Sequence, residues 1–154
     1  MGKGRLGSRH AANKRWDARW TELVSDEQSR RMSRIRSKDT TPEMRVRSIV
    51  HLLGYRFRLH RRDLPGHPDL VFPRLNKVIE VRGCFWHAHS CLKGRRPAVR
   101  TEYWHPKLAR TVRRDRRNVR KLRAMGWRVL VVWDCQTADE VKLISRLTRF
   151  LRQP

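Results

Sequence analysis

A run of 24 residues from Pro68 to Cys91 constrains the chain more than any other stretch. It contains two short apolar segments, Asp69 to Phe72 and Lys77 to Val81, separated by a Pro-Arg-Leu-Asn turn. A polar segment rich in cysteine and histidine follows them. Pro and Asn between two apolar segments are typical of a β-hairpin. The chain is therefore expected to build a sheet around this hairpin, with potential ligands directly after it.

The hairpin carries one acidic residue on each strand. A turn centred on Arg74 and Leu75 pairs Asp69 with Glu80, so both side chains share a face with their Cβ atoms about 5 Å apart. Two carboxylates at that separation repel each other unless a proton or a cation lies between them. Mg²⁺ fits this place because it prefers a few oxygen ligands completed by water and phosphate. The backbone carbonyl of Val81 is a further candidate ligand.

Arg82 lies two residues beyond Glu80 and is expected to point to the same face of the strand. There it could hold a scissile phosphate or balance developing negative charge. The alternative is purely structural: Asp69 caps a turn, and Glu80 pairs with Arg82 on a solvated strand. Spacing alone leaves both interpretations open.

The segment after the hairpin combines cysteines with histidines. Cys84, His89 and Cys91 lie in one irregular stretch, and Cys135 follows a later apolar strand. Three thiolates and one imidazole form a complete tetrahedral zinc set, which would staple a long loop to the sheet. The alternative is three buried thiols with surface histidines. Periodicity does not decide whether His87 or His89 ligates, and a free His87 beside the carboxylates could deprotonate water.

Four aromatic residues accompany this segment. Phe85 and Trp86 interrupt it, and Tyr103 and Trp104 are predicted to lie in a second loop near Arg100. Exposed aromatics among arginines suit insertion between bases or stacking on them. They could equally cover the zinc loop as a small core.

The remaining chain predicts helices around this sheet. Thr40 and Glu43 are spaced as a capping box ahead of a helix that ends at Gly54. Two further strands are expected, over 55–59 and over 127–133, and the second is expected to be buried on both faces. A short helix is expected from Ser25 through Ile35. Two later helices are expected: one from His105 to Met125 with Leu108, Val112, Val119, Leu122 and Met125 on one stripe, and a final one marked by Val141, Ile144, Leu147 and Leu151. This order predicts an α/β domain with a central mixed sheet flanked by helices.

Charge limits the partners of the chain. It has 38 Lys and Arg against 14 Asp and Glu, which gives a formal net charge of +24. Nucleic acid is the expected partner because phosphate binding releases counterions, and no apolar run is long enough to span a membrane. Residues 1–25 read as a basic, mostly disordered arm. No secretory signal is visible, so a cytoplasmic location with reduced cysteines is expected.

The motifs resemble those of the very short patch repair (Vsr) DNA mismatch endonucleases, a family of the PD-(D/E)xK nuclease superfold. The resemblance covers about residues 26–151. It rests on Pro65-Gly66-His67-Pro68-Asp69, on Gly83-Cys84-Phe85-Trp86-His87 with His89 and Cys91, on Arg36 to Thr40, on Thr101 to Trp104, on Arg114-Asp115, and on Gly126 to Leu130 with Trp133 and Cys135.

The resemblance implies a restriction-endonuclease-like domain over residues 26–154 and roles for several of the matched residues. Asp69 binds catalytic Mg²⁺, His87 assists the attacking water, and Glu43 supports the site. Cys84, His89, Cys91 and Cys135 hold structural zinc. Phe85, Trp86 and Trp104 wedge into DNA, with Tyr103, Arg36 and Lys38 as further DNA contacts. The family nicks the strand on the 5′ side of the thymine of a T:G mismatch. A monomer in the bacterial cytoplasm at the nucleoid, with mismatch-repair proteins as further partners, is expected.

One tripeptide departs from the family. Its best-known member has Phe-Thr-His where this chain has Glu80-Val81-Arg82, which is nearer the superfold pattern of a carboxylate, one residue and a basic residue. Glu80 is therefore expected to be a second metal ligand, and the need for His87 stays open. Two other functions remain: a related nuclease with a different mismatch or sequence target, and a non-catalytic, zinc-stapled DNA-binding module.

Overall fold

The computed structural model describes residues 38–98 and 100–153. The expected basic arm, the helix expected from Ser25 through Ile35, the domain boundary at residue 26 and Arg36 lie outside the described residues. The described elements are α1 (Thr41–Leu52), β1 (Arg58–Leu59), β2 (Leu70–Phe72), β3 (Lys77–Arg82), α2 (Thr101–Ala124), β4 (Arg128–Trp133) and α3 (Glu140–Arg152), with short 3-10 turns at Pro73–Leu75, Leu92–Gly94 and Asp134–Thr137. None of these helices is long and apolar enough to cross a membrane.

The four strands form one mixed sheet in the order β1-β2-β3-β4. The pairs β1–β2 and β2–β3 are antiparallel, and β3–β4 is parallel with α2 as the crossover. Leu70 pairs with Ile79, and Phe72 pairs with Lys77. This register confirms the predicted hairpin, and its continuation places Asp69 opposite Glu80.

Helices cover both faces of the sheet because side chains alternate along its strands. α1 and α3 pack on one face in a core of Val46, Ile49, Val50, Leu70, Phe72, Ile79, Val132, Leu143, Leu147 and Leu151. α2 packs on the other face, where the buried residues are Leu64, Val71, Val78 and Leu122. The mixed α/β sheet flanked by helices is thus confirmed. Because side chains alternate along a strand, Asp69, Glu80 and Arg82 lie on the face of the sheet that α2 covers.

The prediction that the strand over 127–133 is buried on both faces is wrong. β4 lies at the edge of the sheet and pairs only with β3. Within β4, only Val132 is fully buried. The expected strand over 55–59 is likewise shorter, because only Arg58–Leu59 joins the sheet.

The buried stripe of α3 also differs from the prediction. Leu143, Leu147 and Leu151 face the core at i, i+4 spacing, whereas Val141 is 78% exposed. The buried ammonium of Lys77 donates to the backbone carbonyl of Leu151 at 2.9 Å and so helps to end α3. Lysine at a helix C-terminus satisfies carbonyls that have no partner within the helix.

α2 begins at Thr101, four residues before the predicted start at His105. Pro106 lies within the helix, where its missing N–H removes one backbone hydrogen bond. Tyr103 and Trp104 therefore lie in the first turn of a helix and not in a loop. The predicted stripe is also wrong in part, because Met125 is 54% exposed whereas Asp115 is buried.

Candidate active site and metal centre

Asp69 and Glu80 meet at the end of the hairpin that lies away from its turn. Asp69 Oδ2 accepts a hydrogen bond of 2.7 Å from the backbone N–H of Val81. Glu80 accepts from Arg82 Nε at 3.0 Å and forms an ion pair with the same guanidinium. The structure therefore contains the Glu80–Arg82 pair that one interpretation expected, and it places Asp69 beside that pair.

Glu43 brings a third carboxylate to this place from the first turn of α1. It accepts hydrogen bonds from the backbone N–H of Asp39, at 3.0 Å, and from the Thr40 hydroxyl, also at 3.0 Å. The predicted capping box is wrong in its direction, since the Thr40 side chain donates to Glu43 and accepts no backbone N–H. Glu43 is 4% exposed. This buried carboxylate is held by the turn that starts the helix.

The pKa of the Asp69 carboxyl group lies well above the ordinary value for aspartate. Burial raises its pKa to about 7. The Val81 N–H opposes this rise, whereas the negative charges of Glu43 and Glu80 add to it. A carboxyl group with this environment has unmatched negative charge when it ionises, and a cation would relieve that charge.

This raised pKa predicts how stability depends on pH without divalent cations. The folded chain holds the Asp69 proton more tightly than an unfolded chain, in which the pKa is about 3.9. Protonated Asp69 therefore contributes its full stabilisation below about pH 4, and this contribution is lost as the pH rises through about 7. The free energy of unfolding should fall by at most about 4 kcal/mol over this range. Urea titrations at several pH values should show this fall in the parent and not in Asp69→Asn. An identical pH dependence in both proteins would contradict the assignment.

His87 and Asp115 form a pair on the same side of the sheet. Asp115 Oδ2 lies 2.5 Å from His87 Nδ1. Burial alone would raise the pKa of Asp115, but the hydrogen bond with His87 and the charges of Arg82 and Arg114 bring it below its ordinary value. An ionised Asp115 accepts the Nδ1 proton of neutral His87, which leaves His87 Nε2 able to accept another.

Sequence reasoning gave no role to Asp115 or to His60. Asp115 lies seven residues from both Leu108 and Leu122, which are buried on the same helix, and this spacing was an available signal. His60 Nδ1 lies 3.7 Å from Asp69 Oδ1, and Arg47 Nη2 donates to His60 Nε2 at 3.1 Å. Burial and the charge of Arg47 lower the pKa of His60.

Asp39, Glu43 and His60 also form a group with ligand atoms within 4.8 Å of one another. The guanidinium of Arg47 bonds to all three: to Asp39 at 2.5 Å, to Glu43 at 3.2 Å and to His60. A side-chain cation therefore already satisfies this group.

The structure brings together the four predicted zinc ligands. The donor atoms of Cys84, His89, Cys91 and Cys135 lie within 4.8 Å of one another. The backbone N–H of Cys135 donates to Cys84 Sγ at 3.4 Å, which joins the loop to the end of β4. Burial raises the pKa of Cys84, whereas a hydrogen bond with His89 lowers that of Cys91. The set can hold one metal ion in a tetrahedral arrangement.

Gly94 closes this loop, and sequence reasoning missed it. Its N–H donates to the carbonyl of Cys91 at 3.0 Å. A Cβ at Gly94 would overlap the backbone carbonyl oxygen of His89. The loop can therefore turn back on itself only where the residue has no side chain.

The four aromatic residues form one cluster, named here the aromatic cluster (Phe85, Trp86, Tyr103 and Trp104). The ring of Phe85 lies 5.1 Å from that of Trp86 and 5.2 Å from that of Trp104, both edge-on. Trp104 is only 8% exposed, so in this structure it packs as part of a small core. Phe85, Trp86 and Tyr103 remain partly exposed. Lys38 is exposed, and its charge acts on His60.

Comparison with known proteins finds relatives of this chain. Residues 22–93 match the family described as DNA mismatch endonuclease Vsr. The chain is 50% identical to the type II nicking enzyme V.XorIIP of Xanthomonas oryzae pv. oryzae over 132 residues, which cover 85% of this chain and 97% of that protein. It is 43% identical to the DNA mismatch endonuclease Vsr of Escherichia coli over 115 residues, covering 75% of this chain and 74% of that protein.

A solved structure shares the fold. The catalytic domain of homing endonuclease I-Bth0305I superposes with a TM-score of 0.52 at 22% identity, covering 73% of this chain and 94% of that domain. This likeness confirms the expected nuclease-type α/β architecture. The sequence matches go further: the chain belongs to the Vsr family of DNA mismatch endonucleases.

Proposed function

We propose that the protein nicks one strand of duplex DNA on the 5′ side of the thymine of a T:G mismatch. The observation that carries this proposal is that Arg82 links the two groups: it forms an ion pair with Glu80, beside Asp69, and its charge also lowers the pKa of Asp115, the partner of His87. Two relatives support it by their names, one as a mismatch endonuclease and one as a nicking enzyme.

The donor set around Asp69 fits a divalent metal ion. Asp69 is partly buried, which raises its pKa, and the negative charges of Glu43 and Glu80 raise it further. Glu43 and Glu80 each have an arginine partner, whereas Asp69 has none among the described residues beyond the Val81 N–H and the nearby His60. Asp69, Glu80 and the backbone carbonyl of Val81 would hold Mg²⁺, which prefers hard oxygen ligands and water. When bound, Mg²⁺ would stabilise the negative charge that develops on the scissile phosphate.

The protein's own side chains supply the proton transfer and the positioning. His87 Nε2 accepts a proton from the attacking water while Asp115 holds the ring through Nδ1. The water oxygen bonds to phosphorus as the bond to the 3′ oxygen breaks. The 3′ oxygen takes up a proton from solvent to become a hydroxyl group, and the phosphate remains on the 5′ end of the other fragment. Glu43 restrains the acidic site from α1. Arg82 would exchange its contact with Glu80 for the phosphate once a metal ion binds there.

Zinc is the proposed occupant of the Cys84, His89, Cys91 and Cys135 set. Three sulfur donors and one imidazole fit Zn²⁺ better than Mg²⁺, which prefers oxygen ligands. All four positions come from the protein, so none is left for substrate. The ion would therefore be structural and would hold the loop that carries His87.

The aromatic cluster is proposed to enter the duplex beside the mismatch. Phe85 and Trp86 are the partly exposed members that could insert first, and Trp104 would follow if the cluster opened. Inserting an apolar side chain unstacks a base step, which costs less at a mismatch. Tyr103 and Lys38 are proposed backbone contacts, as is Arg36 outside the described residues.

Replacing Asp115 with Asn should slow nicking by about 100-fold or more without changing DNA affinity. The amide can donate to His87 Nδ1 and so stabilise the tautomer whose Nε2 already carries a proton. Single-turnover nicking rates and duplex dissociation constants measure the two effects separately. Glu102→Gln is the matched control, because Glu102 is an exposed acid on the same helix. A rate for Asp115→Asn within about twofold of the parent would contradict the role of the pair.

A cleavage assay over all mismatches, with Mg²⁺ or with EDTA, tests the function as a whole. Nicking 5′ of the thymine in T:G duplexes, abolished by EDTA, is the expected result. Cleavage of other mismatches or of matched sequence would favour a related nuclease with another target. Tight binding without any metal-dependent cleavage would indicate a non-catalytic binding module.

Partners and location belong to the same proposal. We expect a monomer that acts on mismatched duplex DNA in the bacterial cytoplasm, at the nucleoid, together with mismatch-repair proteins. The residues form an asymmetric site within one chain, which suits an asymmetric lesion. Sedimentation of the protein with and without DNA tests the oligomeric state.

A further inference from the structure

A groove of about 910 Å³ lies between α2 and β4. Eight arginine side chains line it, together with Val119 and Val131. It is named here the arginine groove, and the members used below are Arg82, Arg110, Arg113, Arg114, Arg117, Arg120 and Arg123. Neither the candidate metal ligands nor the aromatic cluster contributes to it.

Within the arginine groove, Arg82 forms an ion pair with Glu80, and Arg114 forms one with Asp115 at 3.4 Å. Arg113, Arg117, Arg120 and Arg123 form no ion pair with any residue in 38–98 or 100–153. Asp115 is the acid nearest to them along α2, and it is bonded to His87. Neighbouring guanidinium groups repel one another, so this surface favours an anionic ligand.

The dimensions favour a polymer over a small anion. Arg110 and Arg123 are 13 residues apart on one helix, which corresponds to about 20 Å. That length equals the axial rise of about six phosphates on one strand of B-form DNA. The lining contains no aromatic ring on which a base could stack. The groove is therefore suited to a sugar-phosphate backbone and not to base recognition.

The order of residues along α2 defines where the groove lies relative to the candidate site. Trp104 of the aromatic cluster is in the first turn, Asp115 of the histidine pair is near the middle, and Arg123 is in the last turn. Arg82 both pairs with Glu80 and lines the groove. The groove thus includes Arg82 of the candidate active site and follows α2 from Arg110, past Asp115, to Arg123 at the end away from Trp104.

We propose that the arginine groove binds the phosphate backbone of the duplex that flanks the nick, on the side away from the aromatic cluster. This inference rests on the proposed function only for the identity of the substrate, mismatched DNA. It adds a second contact region that positions the duplex without reading its sequence. The enzyme's affinity then depends on duplex length beyond the mismatch.

The test compares a groove variant with the parent on a shorter and a longer T:G duplex, in which the duplex beyond the nick on the groove side is about 2 or about 15 base pairs long and the other side is kept the same. Arg113→Gln/Arg120→Gln removes two groove charges at i, i+7 spacing. Dissociation constants are measured by fluorescence anisotropy in EDTA at several salt concentrations. On the longer duplex, the slope of log affinity against log salt should decrease in magnitude by about 2, and affinity should fall about 10-fold. On the shorter duplex, both quantities should match the parent.

Arg149→Gln/Arg152→Gln provides the matched control, since these exposed arginines lie on α3, on the opposite face of the sheet. An equal loss for the control and groove variants would show a nonspecific charge effect and overturn the proposal. An unchanged slope for the groove variant on the longer duplex would also overturn it, as would equal losses on both duplexes. Nicking of T:G duplex with Mg²⁺ is a separate readout. If the parent protein shows the expected dependence of affinity on duplex length but does not nick, the proposed function is wrong and the groove proposal stands.

Discussion

Asp69→Asn should abolish nicking, with a loss on the order of 1,000-fold or more, while duplex affinity in EDTA stays within about twofold of the parent. The amide oxygen can still accept the Val81 N–H that holds Asp69 in place. What the variant loses is the negative charge that would bind Mg²⁺. Because Asp69 is partly buried among carboxylates, the neutral amide should not destabilise the fold at neutral pH.

Single-turnover nicking of a T:G duplex over a range of Mg²⁺ concentrations measures this effect. The matched control is Asp63→Asn, which removes an exposed carboxylate whose ion-pair partner is Arg61. Asp63→Asn should nick at the parental rate. Parental nicking by Asp69→Asn would remove Asp69 from the reaction, and loss of cleavage together with loss of the fold would show a structural role instead.

Cys84→Ala should remove bound zinc and lower the free energy of unfolding by at least about 3 kcal/mol. Cys84 is the most buried of the four ligands, at 2% exposure. It connects the loop to Cys135 at the end of β4. Without the ion, the loop between β3 and α2 has few buried apolar side chains to hold it. Nicking should fall as well, since this loop carries His87.

Elemental analysis of the purified protein should give about one zinc per chain for the parent and almost none for Cys84→Ala. Urea unfolding measures the change in stability. Ser90→Ala is the control, because Ser90 is exposed in the same loop and is not a ligand. Full zinc content with parental stability in Cys84→Ala would disprove the four-ligand assignment.

The central hairpin could be predicted because its signals are local. The turn residues Pro73 and Asn76 and the two apolar segments together determine one register, and the structure has that register. The grouping of Cys84, Cys91 and Cys135 was likewise predictable because cysteine is scarce in the chain, whereas the spacing alone left open whether His87 or His89 joins them. The position of β4 was not predictable in this way. An apolar run such as Trp-Arg-Val-Leu-Val-Val-Trp looks the same at the centre of a sheet and at its edge when helices cover both faces.

Asp115 and Arg47 show what sequence periodicity cannot reveal. Each is a charged residue on a helix rich in other charged residues, so neither stands out by composition. The role of Asp115 is visible only in the folded chain, where α2 packs on the sheet and the loop places His87 next to Asp115. Arg47 is similar in part, because Glu43 lies one turn away on α1 but Asp39 and His60 lie outside the helix. Long-range partners of this kind are set by tertiary packing.

The indole of Trp133 lies between the Cys and His cluster and the candidate active site. Its ring is stacked on His89 at 4.3 Å, lies edge-on to His87 at 6.5 Å, and has the Arg82 guanidinium 6.0 Å away. A zinc ligand, the proposed proton acceptor and the proposed phosphate contact therefore rest against one rigid bicyclic surface. Under the proposed function, loss of zinc would displace the proposed base and the proposed phosphate contact together, so that zinc supply would set the rate of nicking.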